Sequence, residues 1–381
     1  MIDLPFFEDR HRSLQERLRG IAAVFDPIAL RGEAGEVDAA GRDAVRECAR
    51  LDLCRLLIPR EYGGTGLDLR SVCLARETLA ARSGLADAVF AVQGLGSYPI
   101  VLGGTRELAA RHLPAVAEGA AIAAFALTEP DAGSDASALE TRATRDGDEY
   151  VLDGRKTFIS NAPIATFFTV FARTAEGTKR SLSAFVVDAA AAGLSIGPVQ
   201  EIIAPHPIAE LRLDACRVPA GHLLGVEGDG MRLALGTLDF FRTSVGAAAC
   251  GLASRALTES LARARVRRQF GSAIAEFQLT QAALADMATE LDAARLLVYR
   301  AASMKDAGAA RVTREAAMAK LFATEAAQRI VDRAVQIHGG VGVQRGSLVE
   351  RLYREVRAPR IYEGTSEIQR LVIARDLLGH A

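Results

Sequence analysis

Residues 149–160 read EYVLDGRKTFIS, and the fold class turns on how this stretch is taken. β-Branched and aromatic residues flank Asp153-Gly154, a dipeptide suited to closing a two-residue hairpin, so the stretch reads as strand, turn, strand. FFTVFART (167–174), LSAFVVD (182–188) and AELRLDACRV (209–218) continue the strand texture at turn-separated intervals. Residues 123–228 therefore read as a β domain, a small barrel or sandwich. On the N-terminal side, 1–122 is helical, with segments such as GRDAVRECARLDLC (41–54) separated by the breaker-rich PREYGGTGLD (59–68) and GSYPIVLGG (96–104). On the C-terminal side, 229–381 returns to helical periodicity. There Leu284, Met287, Leu291, Ala294 and Val298 draw one apolar stripe down a helix, and GAAACGLASRAL (246–257) is small enough to let a neighbour approach closely. The expected fold class is α+β multidomain: α, then β, then α.

The totals narrow the function. In 381 residues, 46 basic and 47 acidic side chains balance to a net charge of −1, which leaves no footprint for nucleic acid. The start carries acidic residues and no apolar core of a leader, and no uninterrupted apolar run of roughly 18 residues stands out. The expectation is a cytoplasmic protein without membrane insertion. Five scattered cysteines form no CxxC pair and six histidines form no HExxH pair, so no metal site is expected.

Several segments can carry chemistry. ALTEPDAGSD (126–135) has small residues, Ala132, Gly133 and Ser134, whose amides are open to a phosphate or a flavin edge; alone, a plain turn is the simpler reading. KTFISNAP (156–163) puts Phe158 and Ser160 two apart, hence on one strand face, as an aromatic plane beside a hydroxyl; an ordinary sheet face reads as well. RVRRQFG (265–271) offers Arg267 to a pyrophosphate, against the alternative of a solvated helix end. QIHGGVGVQ (336–344) reads as a helix C-cap and, lacking a preceding strand, not as a dinucleotide fingerprint. In RIYEGTSEIQR (360–370), Ser366 and Gln369 fit a capping box, and Ile368, Leu371, Val372 and Leu378 form an apolar face, so the last helix starts near Thr365 or Ser366. Glu363 then lies outside its N-terminus, where the dipole favours the carboxylate. Base and surface glutamate both remain open on position alone.

Taken in order, EYGGTGL (61–67), TEPDAGSD (128–135), FISN (158–161), RRQFG (267–271) with FQ (277–278), QIHGG (336–340) and IYEGTSEIQR (361–370) resemble the acyl-CoA dehydrogenase family across nearly the whole chain. The resemblance implies a helical N-terminal domain, a β-barrel-like middle domain and a C-terminal four-helix bundle, assembled as a homotetramer. It implies FAD as cofactor, an acyl-CoA substrate and an electron-transferring flavoprotein as acceptor, within fatty acid metabolism. Phe125, Leu127, Thr128, Gly133 and Ser134 would lie along the flavin and its phosphates, with Ser134 also near the substrate. Phe158, Ile159 and Ser160 would flank the ring near N5. Arg267, Gln269, Phe270, Gln278, Gln336, Ile337, His338, Gly339 and Gly340 would reach the adenosine and pyrophosphate end, some from a neighbouring subunit. Thr365, Ser366 and Glu367 would return to the FAD, while Asp239 and Arg242, as the DxxR pair, with Tyr362 and Gly364 would face the substrate.

By the same resemblance Glu363 matches the catalytic base, removing the α-proton of the thioester while a hydride leaves the β-carbon. The family's other base position, before the DxxR arginine, is Phe241 here, which leaves one candidate. Phe158 stands where many members have tryptophan, Val266 replaces an acidic residue, and YREVRAPR (353–360) departs from the usual run. Two readings compete on this fold: dehydrogenation of a carrier-protein-bound acyl group, and an oxidase or monooxygenase using oxygen.

Overall fold

The structure is a computed structural model and describes residues 4–176 and 181–379. Six helices come first: α1 (Asp9–Ile21), α2 (Asp26–Glu33), α3 (Val37–Arg50), α4 (Leu69–Ala80), α5 (Gly84–Gly103) and α6 (Arg106–Ala117). Eight strands follow: β1 (Ala123–Ala126), β2 (Arg142–Asp146), β3 (Glu149–Ser160), β4 (Phe167–Arg173), β5 (Leu182–Asp188), β6 (Leu194–Val199), β7 (Ile208–Pro219) and β8 (Leu223–Leu224). The long α7 (Gly230–Val266) leads to a small ribbon of β9 (Arg268–Gln269) and β10 (Ser272–Ala273). Four helices then close the chain: α8 (Gln278–Asp306), α9 (Thr313–His338), α10 (Leu348–Glu355) and α11 (Ser366–Leu377). The N-terminal helical, middle sheet and C-terminal helical regions are thus as expected. Spatially the chain forms two compact units, one from 27–68 and 85–241, the other from 1–26, 69–84 and 242–381.

In the first of these, the sheet runs β6-β7-β3-β2-β4-β5-β8, with β1 parallel to β4. Tyr150, Leu152, Phe168, Val170, Phe185, Leu211 and Leu213 fill its core. Helix α5 lies so close to β1 that a Cβ on Gly96 would stand 2.7 Å from Ala123 and Ala124 atoms, and the Gly96 carbonyl accepts from Thr169 Oγ1 at 2.7 Å. By length and composition α5 is apolar enough to cross a membrane, which the sequence reading passed over, yet most of it is buried.

The turn expected at Asp153-Gly154 is not there. β2 and β3 pair with Asp146 opposite Glu149, so the two-residue turn is Gly147-Asp148, with Gly147 at φ +62°. β3 runs straight through Asp153-Gly154, where its register against β7 skips between Leu152 and Gly154. Gly154 takes φ +155°, and a Cβ there would sit 2.5 Å from Thr141 Oγ1. The Asp153 carboxylate accepts the Ala215 N–H at 2.7 Å. An Asp-Gly pair serves a bulge as readily as a turn, and the long partner strand β7 decides between them.

In the helical unit, α9 packs against α8, α10 and α11, and α4 against α8 and α1. Met287, Leu291, Ala294 and Val298 of the predicted stripe are buried, with Leu284 half-buried. The close approach expected of the Gly/Ala run is real: a Cβ on Gly251 would lie 2.2 Å from the Glu77 carbonyl oxygen, and one on Gly246 2.8 Å from Val298. All five cysteines are buried free thiols. Helix α11 departs from expectation. Its buried residues are Ser366 and Gln369, while Leu371 and Leu378 are exposed. Polar contacts hold its first turn, Ile368 and Val372 are half-buried as it packs on α9, and the rest of the predicted face is outward.

Candidate active site

Within the helical unit, residues 361–365 form the turn that enters α11. Glu363 has φ +52° and Gly364 φ +91°, two left-handed residues in succession. For a glutamate that conformation costs about 1–3 kcal/mol and persists only where surroundings over-determine it. Here they do. Gln369 Nε2 donates to the carbonyls of Glu363 (3.2 Å) and Gly364 (2.9 Å), Lys320 Nζ donates to the Gly364 carbonyl (2.6 Å), and Arg242 Nε reaches the Glu363 carbonyl at 3.5 Å. Glycine at 364 is favoured by φ, and a Cβ there would stand 2.6 Å from Gln369 Nε2, displacing that amide from the carbonyls it holds.

The helix start is where it was expected, with Glu363 outside it, but the cap is Thr365, whose Oγ1 accepts the Ile368 N–H at 3.3 Å. Ser366 is not the capping side chain; its hydroxyl donates to Glu325 Oε1 at 2.6 Å, and Glu325 also takes the Arg360 guanidinium at 3.0 Å. Glu367 is exposed, and Tyr362 is 39% exposed. Arg242 is buried.

The other C-terminal residues singled out lie on exposed turns and helix ends. Phe270, at φ +50° on the tip of the β9–β10 ribbon, is 96% exposed. Arg267, Gln269 and Gln278 are exposed as well. Helix α9 ends as expected at His338, whose Nδ1 pairs with the Ala334 carbonyl, and Gly339 follows at φ +63°. Gln336, Gly339 and Gly340 are exposed, Ile337 is half-buried, and a Cβ on either glycine would meet nothing within 4 Å.

The sheet unit holds the remainder. β1 ends at Ala126, and Phe125 on it packs against Phe171 with ring centroids 4.9 Å apart. The loop beyond is pinned by a buried ion pair that sequence reasoning missed, Glu129 Oε1 to Lys156 Nζ at 2.7 Å. The carboxylate also accepts from the amides of Glu140 (2.6 Å) and Thr141 (2.9 Å), while Lys156 reaches the Leu127 carbonyl at 3.2 Å. Burial raises the Glu129 carboxyl, but Lys156 and these donors outweigh it and bring it below the usual range; burial pushes Lys156 down to about 8. The Thr128 carbonyl accepts the Thr157 N–H at 2.9 Å. Past this anchor Gly133 and Ser134 are exposed, with open space where a Cβ on Gly133 would go.

Phe158 does not share a face with Ser160 by simple alternation. The β3 register breaks between Lys156 and Ile159, and Phe158 takes φ +53° and stands 57% exposed, its N–H donating to Gln200 Oε1 at 2.9 Å. Ile159 turns its side chain into the sheet core, leaving only its backbone for a ligand. Ser160 Oγ lies 2.6 Å from His206 Nε2, and burial pushes that imidazole down to about 4, so the neutral ring shares one proton with the hydroxyl. His206 and Lys320 were also missed by sequence reasoning. Lys320 had a signal: it falls on the α9 face with Ala316, Ala319, Ala323 and Ala327, all buried. Asp239 is half-buried on α7. Among the described residues no cluster of metal-ligating side chains occurs.

The helical unit thus carries a carboxylate on a clamped left-handed turn, and the sheet unit an open Gly-Ser loop and an outward aromatic at a strand end. The chain belongs to the acyl-CoA dehydrogenase family: its N-terminal, middle and C-terminal domain models match residues 8–120, 124–216 and 228–378. It is 41% identical over 354 residues to cyclohexane-1-carbonyl-CoA dehydrogenase of Geobacter metallireducens, covering 91% of this chain and 93% of that one. It is 37% identical over 378 residues to the caffeyl-CoA reductase-Etf complex subunit CarC of Acetobacterium woodii, covering 98% and 99%. An acyl-CoA dehydrogenase complexed with FAD from Bacillus anthracis superposes with a TM-score of 0.92 at 33% identity, covering 98% of this chain and 68% of that one. The family is FAD-dependent, and within the sheet unit the open space at Gly133, the exposed Phe158 and the Ser160 hydroxyl suit such a group.

Proposed function

We propose that this enzyme dehydrogenates an acyl-CoA thioester to the trans-2-enoyl-CoA, with Glu363 as the base. The observation that carries the reading is the Glu363–Gly364 turn, a strained conformation held by three side-chain donors at a helix start. FAD, when bound, supplies the acceptor for the hydride that leaves the β-carbon. The Glu363 carboxylate takes the α-proton, and Gly364, without a side chain, lets the thioester pass close to the backbone. Leu127 and Thr128, at the Glu129–Lys156 anchor, and Gly133 and Ser134, beyond it, bind along the flavin with Phe125, Phe158, Ile159 and Ser160. Arg267, Gln269, Phe270, Gln278 and residues 336–340 hold the adenosine end, Thr365 to Glu367 return to the FAD, and Asp239, Arg242 and Tyr362 hold substrate. An electron-transferring flavoprotein reoxidises the enzyme, a role supported by the Etf-complex relative.

Glu363→Gln removes the base while nearly preserving shape. Anaerobic mixing with a panel of acyl-CoA esters is expected to bleach the flavin of the wild type and to bleach that of Glu363→Gln at least about 10²-fold more slowly, the lower end of the range for general-base catalysis. Equal rates in the two proteins would refute the assignment.

A further inference from the structure

Among the buried cations that the mechanism above does not use, Lys320 is the one bonded to the Glu363–Gly364 turn. Lys320 is fully buried on α9 and spends its ammonium on a single carbonyl, that of Gly364, at 2.6 Å. Burying an ammonium against one neutral acceptor is costly unless a negative charge lies near. The charged groups that act on it are Glu363 of the turn, Arg242 of α7, Glu325 of α9 itself and Glu367 of α11. Glu325 is already engaged by Arg360 and Ser366, and Glu367 is exposed to solvent, which leaves Glu363 as the counter-charge least screened by water.

We propose that Lys320 is a positioning residue for the base: its ammonium pulls on the Gly364 carbonyl to hold the left-handed Glu363–Gly364 turn, and its charge keeps Glu363 ionised and ready to accept a proton. Both effects act on the same loop. The carbonyl bond, together with Gln369, offsets the strain of φ +52° at Glu363. A nearby cation favours the carboxylate over the protonated carboxyl, the form that can accept the α-proton. Burial pushes Lys320 down to about 8, with Glu363 opposing that fall, so the cation itself is present below that pH.

The inference rests on Glu363 being the base, and the experiment separates the two. Lys320→Met, Lys320→Gln and Glu363→Gln are prepared as FAD-loaded full-length proteins, each checked by flavin content and melting temperature. For Lys320→Met, kcat is expected to fall about 10- to 100-fold, the scale of misplacing a reacting group by an ångström, with KM within about threefold. The acid limb of its kcat/KM profile should move to higher pH, and hydrogen exchange in a peptide spanning 361–368 should quicken. Lys320→Gln keeps an N–H donor without the charge, so it should recover kcat in part while the acid limb stays displaced; it carries the test if Lys320→Met does not fold. A Lys320 variant with wild-type kcat and an unmoved acid limb overturns the inference. If Glu363→Gln itself turns over at the wild-type rate, the base assignment fails first.

Discussion

At the scale of single residues, the Glu129–Lys156 pair shows how a site is set from beneath. Lys156 is fully buried and Glu129 nearly so, and between them they fix the carbonyl of Leu127 and the amides of 140 and 141. Lys156→Met leaves a carboxylate buried without its cation, so a loss of about 3–5 kcal/mol is expected, read as a lower melting temperature with lower retained flavin. The double variant Glu129→Gln/Lys156→Met should regain much of the stability, since the uncompensated charge is gone. Neither residue was legible in the chain, because a lysine in a strand reads as a solvated side chain until its partner, 27 positions away, is known. Glu363 was nearly the opposite case. Its place before a helix start could be read directly, but the strain that marks it lives in φ, which no residue type states.

At the scale of elements, glycines decide which surfaces touch. Gly251 on α7 meets the Glu77 backbone of α4, and a Cβ there would stand 2.2 Å from a carbonyl oxygen, an atom that cannot rotate away. Gly251→Ala is therefore expected to cost about 1–3 kcal/mol despite alanine's better helix propensity, measured as a lower melting temperature at unchanged flavin spectrum. The small-residue run 246–257 announced this packing, since only glycine and alanine permit it. Asp153-Gly154 announced a hairpin and delivered a bulge. The local signal was correct about a special glycine and silent about its use, because turn or bulge depends on what pairs with the strand. For α11 the spacing gave the helix and its start, whereas only part of its apolar side is covered: Ile368 and Val372 are half-buried and Leu371 and Leu378 exposed.

At the scale of the whole molecule, the helical unit leaves Phe270 (96% exposed), Leu279 (88%) and Leu378 (70%) in solvent. The family resemblance implies a homotetramer, in which exposed apolar side chains such as these would be covered. We expect wild-type protein to run by light scattering at four times the 40.5 kDa chain, and Leu279→Glu to shift to lower mass with FAD lost more readily on dilution. Unchanged mass and FAD retention in that variant would remove this face from the assembly. By itself the sequence determined the order α, β, α, the start of the last helix with Glu363 just outside it, and the small-residue contacts, because periodicity, caps and glycine placement are local. Only the tertiary structure decided that the Asp-Gly pair is a bulge, that Lys156 and Lys320 are buried cations, and that Glu363 sits in a clamped left-handed turn. Those facts depend on which distant atoms supply a counter-charge, a carbonyl or a donor, and no stretch of chain carries that information alone.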